Sequence, residues 1–250
     1  MKTTYDLQWL TDKFDSGEHI KYIFFWGHTN KRREDVGKFC FSQWFELPFT
    51  VDGVTYRSTE HWMMANKALL FADKKTFNKI IAAATPAEAK KLGREVLGFD
   101  EQVWLSYRYE IVVNGNIHKF NQNPKFAEYL INTANRILVE ASPADKIWGI
   151  GMAENDEGVG NPYFWDGLNL LGFALMEARD FLIKYGYFHE LADAVSPPWK
   201  MHPEIDPLDM FWRMGSGESI IMEFSKYYDG LNERDKIIFE LTHPAPFNWI

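Results

Sequence analysis

The chain has 250 residues, 46% of them hydrophobic and 16% aromatic, so it is long enough to bury a large core. Its formal net charge of −8 argues against a nucleic-acid binder that works through a broad basic surface. The single cysteine, Cys40, excludes an internal disulfide, and no apolar run is long enough to span a membrane. The N-terminal residues lack a secretory signal, so a cytoplasmic protein without a membrane partner is expected.

A local basic patch lies in the loop after Trp26, where Lys31–Arg33 are consecutive cations. Glu34–Asp35 follow directly and dilute the positive charge. On charge alone a solvated loop is the simpler interpretation, and a phosphate-binding patch is the alternative.

The first elements lead into one central helix. Residues 1–20 predict a short helix or arm, and the aromatic run Lys21–Gly27 predicts a buried strand. Leu47–Tyr56 predicts a β-hairpin, because Asp52 and Gly53 at its centre both tolerate positive φ. The hairpin ends just before Ser58, which is a good N-cap for a helix.

The segment Ser58–Phe71 predicts a helix that is apolar on almost every face and is therefore buried. It nevertheless carries Glu60 and Lys67, which differ by about 20° around the helix axis and by about 10 Å along it. Their separation is too long for a direct salt bridge, and an unpaired buried charge costs several kcal/mol. Each needs a partner from elsewhere in the chain or a ligand, so two separate buried hydrogen-bond networks and a functional site are both open.

The rest of the first 186 residues is mostly helical. Among the helices, the run Arg136–Glu140 predicts a short strand. Gly172 lies in the predicted helix Leu168–Tyr185 and is expected to let another element approach closely. We expect a mainly α (α+β) fold, a single compact helical domain with a small β-hairpin and a short sheet. The predicted helices are Asp73–Ala84, one that opens at Thr85 and Pro86, Glu101–Phe120, Pro124–Arg136 and Leu168–Tyr185.

The composition changes after Gly186, where six of the eleven prolines are found. We expect residues 1–186 to form the main domain and residues 187–250 to form a proline-rich and helical extension packed on it. Short helices are predicted at Asp209–Met214 and Glu218–Tyr228. This extension is a candidate surface for a partner protein.

The sequence lacks the signatures of zinc hydrolases, serine-type acyl transferases and P-loop enzymes. Its seven histidines show no metal-ligand spacing, so no metal and no cofactor are expected. What remains is an acidic set in aromatic surroundings, namely Glu60, Glu140 and Asp145. Carboxyl groups near tryptophans suit cleavage of a glycosidic bond, because the acids protonate or stabilise an oxocarbenium-like sugar.

Several motifs occur together and in a fixed order over roughly residues 21–186. In this order and number they resemble the NADAR (NAD- and ADP-ribose-associated) family of N-glycosidases. The motifs are IFFWG, the VDG turn, STEHWMMANKAL, AKKLGRE, the helix with Trp104, HKF at 118–120, LVEASPADKIWGIG and GLNLLGFALMEAR.

The resemblance implies hydrolysis of a ribosyl C1–N bond to an exocyclic amine. Such a bond can open to an imine, which a lysine amine can attack to form a Schiff base that water then releases. Lys67 would be the nucleophile, with its pKa depressed by burial, Glu60 would be the acid or base for ring opening, and Asp145 would stabilise the positive centre. A second route needs no lysine adduct, because Glu60 and Asp145 would flank an oxocarbenium ion and activate water.

The same resemblance implies a substrate-binding set. Trp104 and Trp148 would wall the pocket, and Arg94 would bind a phosphate. Gly149 would allow the backbone to pass close to the ligand, and Asn169 completes the set on the face of its helix next to the apolar stripe.

Three functions remain open, two of them enzymatic and one a binding function. The first is removal of ADP-ribose from ADP-ribosylated guanine in nucleic acid, an antitoxin-like or repair-like activity, which the basic loop and the absence of an attached riboflavin-pathway domain favour. The second is hydrolysis of ribosylaminopyrimidine phosphates, small nucleotides of riboflavin biosynthesis. The third is a non-catalytic module that binds ADP-ribose or NAD, which would have no need for a buried Lys67 beside Glu60 and Asp145.

Overall fold

The computed structural model describes residues 4–30 and 34–249, so the basic patch Lys31–Arg33 lies outside the described residues. The chain forms two compact units. The first comprises Met1–Thr50 with Thr55–Gly186, and the second comprises Val51–Val54 with Tyr187–Ile250. The fold is mainly helical with two short two-stranded sheets, which confirms the predicted fold class.

The first unit contains seven helices and parts of both sheets within the described residues. Short 3₁₀ turns occur at Lys38–Phe41 and Pro162–Phe164. The strands are β1 (Tyr22–Phe25), β2 (Phe49–Val51), β3 (Val54–Tyr56) and β4 (Ile137–Glu140). The helices are α1 (Leu7–Asp15), α2 (Thr59–Leu70), α3 (Lys74–Ala82), α4 (Pro86–Gly93), α5 (Glu101–Asn121), α6 (Pro124–Ile131) and α7 (Leu170–Tyr185).

Helix α2 is the buried centre of this unit, as predicted. Ser58 caps it by accepting a hydrogen bond from the backbone N–H of His61, which satisfies one of the free donors of the first turn. The helix packs against α3, α4 and α5. The Trp62 indole N–H donates to the Ile111 carbonyl of α5 at 2.7 Å, so even the largest side chain of α2 has its polar atom satisfied in the core.

Strands β1 and β4 pair in parallel, with Phe25 opposite Glu140 at their carboxyl ends. Helix α7 covers β4, and Gly172 makes this packing possible. A Cβ at Gly172 would lie 2.1 Å from the Leu138 carbonyl oxygen, so no larger residue fits without moving the helix away. The expectation of a close approach at Gly172 is confirmed.

The predicted hairpin is also confirmed. Strands β2 and β3 are joined by Asp52 at φ 50° and Gly53 at φ 73°, the paired positive φ values that a two-residue hairpin turn requires. Helix α6, in contrast, ends at Ile131, whereas the sequence predicted helix to Arg136. The backbone reverses there because Asn132 caps α6 and Ala134 adopts a left-handed φ of 52°.

The second unit contains α8 (Pro198–Met201), α9 (Gly215–Gly230), α10 (Glu233–Thr242) and 3₁₀ turns at Met210–Arg213 and Phe247–Trp249. Its centre is aromatic, with the Phe239 and His243 rings stacked at 4.5 Å. Sequence reasoning missed α10, although Asn232 caps it and acidic residues occupy its first turn. Among the described residues of the whole chain, the longest apolar helices fall short of what crossing a membrane requires.

Candidate functional site

One cavity of about 190 Å³ lies within the first unit. Its walls come from α2, α4, α5, β4, the loop after β4 and the segment that follows the Lys38–Phe41 turn. Six of the eight residues predicted for the site line it. The lining residues are Ser42, Gln43, Trp44, Glu60, Met63, Met64, Lys67, Lys90, Gly93, Arg94, Trp104, Glu140, Asp145 and Trp148.

Glu60 is placed in the first turn of α2 and is 2% exposed. Its carboxyl oxygen Oε1 has no hydrogen-bond partner among the described residues, which is costly for a buried carboxyl group. Burial raises the pKa of Glu60 to about 7, an effect that Lys90 and a hydrogen bond from the Trp44 side chain oppose and that Asp145 reinforces. Glu60 can therefore exchange a proton near neutral pH.

Lys67 lies two turns further along α2 and also faces the cavity. Its Nζ donates to the Gly93 carbonyl at 2.9 Å and lies 4.1 Å from the centre of the Phe99 ring. Burial lowers the pKa of this amine, as the sequence predicted. Within the described part of the chain no carboxylate is within salt-bridge distance of Nζ, so a carbonyl and aromatic rings are what hold the ammonium in place.

Asp145 lies in the turn after β4 and is positioned by the backbone. Its Oδ1 accepts hydrogen bonds from the N–H groups of Ile147 at 2.9 Å and Trp148 at 2.8 Å. These two donors fix the carboxylate in the turn, and Asp145 and Trp148 both line the cavity. Asp145 is thus a pre-oriented anion beside the protonatable Glu60.

Glu140 is the last residue of β4 and supplies a third carboxyl group. Its Oε2 is buried and, like Oε1 of Glu60, has no hydrogen-bond partner among the described residues. Burial, which is the main cause, and the negative charges of Asp145 and Glu60, which are the smaller ones, together raise the pKa of Glu140 to about 8. The cavity therefore combines a fixed carboxylate with two carboxyl groups that hold protons near neutrality.

Helix α4 and its C-cap residue contribute two cations, Lys90 on the helix and Arg94 at the cap, which are four residues apart. Arg94 is exposed and Lys90 is partly buried, with its Nζ 5.7 Å from the centre of the Trp44 ring. Sequence reasoning identified Arg94 and missed Lys90, although their spacing places both on one face of α4. The exposed Arg94 and the partly buried Lys90 make the rim of the cavity positive, which suits an anionic group such as a phosphate.

The tryptophans of the cavity come from three separate elements. Trp104 is on α5, Trp148 follows Asp145, and Trp44 follows the Lys38–Phe41 turn. The first two were predicted, whereas Trp44 was hidden in the aromatic run around Cys40, which is itself buried as expected. Aromatic rings on several sides suit a sugar or a base.

Lys119 supports the wall that carries Trp44, a role that sequence reasoning also missed. It is fully buried on α5, and its Nζ donates to the carbonyls of Cys40 at 2.6 Å and Ser42 at 3.1 Å. Burial lowers the pKa of Lys119 to about 8. This lysine fixes the backbone just before the lining residues Ser42 and Trp44.

Asn169 and Gly149 were predicted to bind substrate, but neither lines the cavity. Asn169 is fully buried, and its amide accepts from the Glu140 N–H at 3.0 Å and donates to the Leu138 carbonyl at 2.9 Å. A Cβ at Gly149 would lie 2.8 Å from the Glu140 carbonyl oxygen, so Gly149 permits close packing of the turn. The structure places both residues behind Glu140, where they position β4 and the turn that holds Asp145.

The residues at the cavity are suited to acid–base and amine chemistry. In the described ranges, His, Cys, Asp and Glu side chains form no group of three or more that could hold a metal ion. Two protonatable carboxyls, one fixed carboxylate and an amine of lowered pKa can deliver protons, stabilise a cation and attack a carbonyl-like carbon.

Comparison with known proteins agrees with this chemistry. The chain is 43% identical over 169 residues to N-glycosidase R617 of Acanthamoeba polyphaga mimivirus, covering 65% of this chain and 97% of that protein. It is 32% identical over 148 residues to N-glycosidase YbiA of Escherichia coli K12, covering 59% of this chain and 82% of that protein.

The fold has a solved counterpart as well. The NMR structure of E. coli YbiA aligns with a TM-score of 0.51 and 24% identity, covering 71% of this chain and 95% of that chain. A family model described as the NADAR domain matches residues 24–183. The described part of this range includes the whole cavity lining, from Ser42 to Trp148. The chain belongs to the NADAR family.

Proposed function

We propose that this protein is an N-glycosidase that hydrolyses the bond between ribose C1 and an exocyclic amine, and that its substrate is ADP-ribosylated guanine in nucleic acid. The chain is a hydrolase of N-glycosyl bonds by family, and the choice of substrate is the new part of the proposal. The observation that carries the N-glycosidase activity is the presence of Glu60, Lys67 and Asp145 around one cavity.

The size of the cavity supports a substrate that is only partly enclosed. About 190 Å³ is below the ~300–1,000 Å³ of pockets that engulf a drug-sized ligand. The enclosed space suits the ribosyl group that reacts, while the base and the phosphates would extend to the rim. Arg94 and Lys90 at the rim supply positive charge for those phosphates.

The catalytic roles follow from the environments of the three residues. Glu60, protonated near neutrality, would donate a proton to the ribose ring oxygen as the ring opens. Lys67, whose amine is held by the Gly93 carbonyl, would attack the resulting imine at C1 and release the base. Asp145, fixed by two backbone N–H groups, would stabilise the positive charge at C1 until water regenerates the lysine.

Direct attack by water is the alternative route. In that case Glu60 and Asp145 would act on opposite sides of an oxocarbenium ion, and Lys67 would only contribute charge. The position of Lys67 at the cavity together with its lowered pKa favours the covalent route, because an amine must be neutral to attack.

Two other functions are the competing proposals. Hydrolysis of ribosylaminopyrimidine phosphates would use the same residues on a smaller substrate. A reader that binds ADP-ribose or NAD without cutting it would need the rim cations and tryptophans but not the unpartnered carboxyl oxygens of Glu60 and Glu140, which are costly to bury.

The test is incubation of the purified protein with an ADP-ribosylated guanine oligonucleotide and, separately, with ribosylaminopyrimidine phosphate, with products followed by mass spectrometry. We expect the protein to release ADP-ribose and leave an unmodified oligonucleotide, with a higher kcat/KM than for ribosylaminopyrimidine phosphate. Faster cleavage of the pyrimidine substrate would assign the protein to riboflavin-type intermediates. Binding without cleavage of either would make it a reader.

A further inference from the structure

Glu140 carries out none of the steps of the proposed reaction, yet its side chain lines the cavity. Its Oε2 is buried without a hydrogen-bond partner among the described residues, and the residue lines the same cavity as Glu60 and Asp145. Leaving a buried carboxyl oxygen unpaired costs roughly 1–3 kcal/mol, more if it is charged. Such an atom is satisfied when a ligand in the cavity offers a hydrogen-bonding partner.

We infer that Glu140 is a catalytic residue, the acid that protonates the exocyclic nitrogen of the departing base. This inference rests on the proposed function and adds a residue that has no part in the attack on C1. It holds for attack by Lys67 and for attack by water, because in both routes the base must leave with a proton.

In the covalent route two different atoms take up a proton, first the ring oxygen and then the nitrogen of the departing base. When the C1–O bond of the ring breaks, its electron pair goes to the ring oxygen, which takes the proton of Glu60. Lys67 then adds to C1 and returns a proton to Glu60. When the C1–N bond to the base breaks, its electron pair goes to the nitrogen, which takes the proton of Glu140. Water adds to C1, returns a proton to Glu140 and releases Lys67, so one water is consumed in total.

Two features of the fold position Glu140, the pairing of β4 with β1 and the hydrogen bonds of Asn169. The parallel pairing of β1 with β4 sets Phe25 opposite Glu140 at the carboxyl end of the strand pair. Asn169 binds the Glu140 backbone N–H at 3.0 Å and the Leu138 carbonyl at 2.9 Å, so the strand end cannot shift. The side chain is consequently delivered to the cavity from β4, while Glu60 comes from α2.

The charges around Glu140 keep it protonated. Asp145, in the turn after β4, and Glu60, on α2, disfavour a further negative charge, whereas Lys90 on α4 favours it. Burial and the two carboxyls outweigh Lys90, and the pKa of Glu140 rises to about 8. Lys67 and Arg94 are the other charged groups that line the cavity. An acid that must be protonated gives activity below its pKa and loses it as the pH rises above that value.

The test measures the pH dependence of kcat and KM for wild type, Glu140→Gln, Glu140→Asp and, as an exposed control, Glu128→Gln, on the ADP-ribosylated oligonucleotide. We expect Glu140→Gln to lose at least ~100-fold in kcat at pH 7 with little change in KM. It should keep the first fall of activity, near pH 7, that Glu60 causes, and lose the second fall, near pH 8. Glu140→Asp should retain part of the kcat, and its activity should still fall with rising pH but at a pH displaced from that of wild type. Glu128→Gln should match wild type.

Several outcomes would overturn the role of Glu140. The first is that Glu140→Gln keeps a kcat within a few-fold of wild type. The second is that Glu140→Gln changes only KM, and the third is that its activity still falls near pH 8 as in wild type. If Glu140→Gln does not fold, Glu140→Asp decides the question. Activity of Glu140→Asp that falls at the same pH as wild type would rule out the role of Glu140. A wild type that cleaves neither the oligonucleotide nor the ribosylaminopyrimidine would instead overturn the proposed function itself, and Glu140 with it.

Discussion

The backbone N–H of Glu140 donates to the side-chain Oδ1 of Asn169 at 3.0 Å, joining the end of β4 to the residue that begins α7. Asn169 has a left-handed φ of 53° and is fully buried, so its amide cannot turn to bind anything else. The bond explains why Asn169 stands behind the cavity and not in its lining. It makes Asn169 a positioning residue for Glu140.

Replacement of Asn169 by alanine is the first prediction. Asn169→Ala should lower the free energy of unfolding by about 2–3 kcal/mol, because it leaves the Glu140 N–H and the Leu138 carbonyl unpaired in the core. It should also lower kcat by displacing Glu140. Chemical denaturation and steady-state kinetics check both. A stable Asn169→Ala protein with raised KM and normal kcat would show that Asn169 binds substrate.

Replacement of Glu60 by glutamine is the second prediction. Glu60→Gln keeps the shape of the side chain and should leave the fold intact while removing at least ~100-fold of the rate, the usual scale for a general acid or base. Steady-state kinetics and a melting curve measured on the same preparation check this. Normal turnover would make Glu60 a structural residue.

The sequence predicts the local structure of the site well. The cap at Ser58, the hairpin at Asp52 and Gly53, and the close packing at Gly172 each depend on residues within a few positions of one another or on a property of one residue. Glu60 and Lys67 could be found because two ionisable groups stand out on a helix that is otherwise apolar.

The rest of the site depends on contacts between distant segments. Lys90 and Trp44 reach the cavity only because α4 and the segment after the Lys38–Phe41 turn pack beside α2, which no local pattern encodes. The parallel pairing of β1 and β4 likewise joins strands separated by five helices. Asn169 is predicted to bind substrate from its place beside the apolar stripe of its helix. Its actual partners, the Glu140 N–H and the Leu138 carbonyl, lie about 30 residues away in the chain and cannot be read from a local pattern.

The third prediction concerns stability and pH. The folded-state pKa values of Glu60 and Glu140, about 7 and about 8, lie above the unfolded value of ~4.3. Between the unfolded pKa of ~4.3 and the folded pKa values of about 7 and about 8, the folded protein binds more protons than the unfolded chain. The free energy of unfolding therefore falls as the pH rises through this range.

Glu140→Gln cannot ionise, so it should remove part of that slope. The quantity compared is the free energy of unfolding of Glu140→Gln minus that of wild type. This difference should be at least about 1 kcal/mol larger at pH 8 than at pH 5, since one unit of pKa difference corresponds to ~1.4 kcal/mol. Denaturant titrations at the two pH values measure this, with Glu128→Gln as the control. Parallel pH dependences for wild type and Glu140→Gln would contradict the raised pKa.

Independence from metal ions is the fourth prediction. The chemistry assigned to Glu60, Lys67 and Asp145 needs only protons, water and an amine, so dialysis against a chelator should leave kcat unchanged. Activity assayed before and after dialysis, and after return of single divalent ions, checks this. Loss of activity that one ion restores would refute it.

The fifth prediction is the covalent intermediate on Lys67, and trapping it is the most direct measurement of the mechanism. Borohydride added during turnover on the ADP-ribosylated oligonucleotide should reduce the imine and leave the mass of a reduced ADP-ribosyl group on the peptide that contains Lys67. Lys67→Arg should be inactive and untrapped, because a guanidinium keeps its charge and cannot form an imine at neutral pH. The exposed Lys91→Arg should behave like wild type. An active Lys67→Arg enzyme without a trapped adduct would contradict the covalent route and assign the reaction to water activated by Glu60 and Asp145.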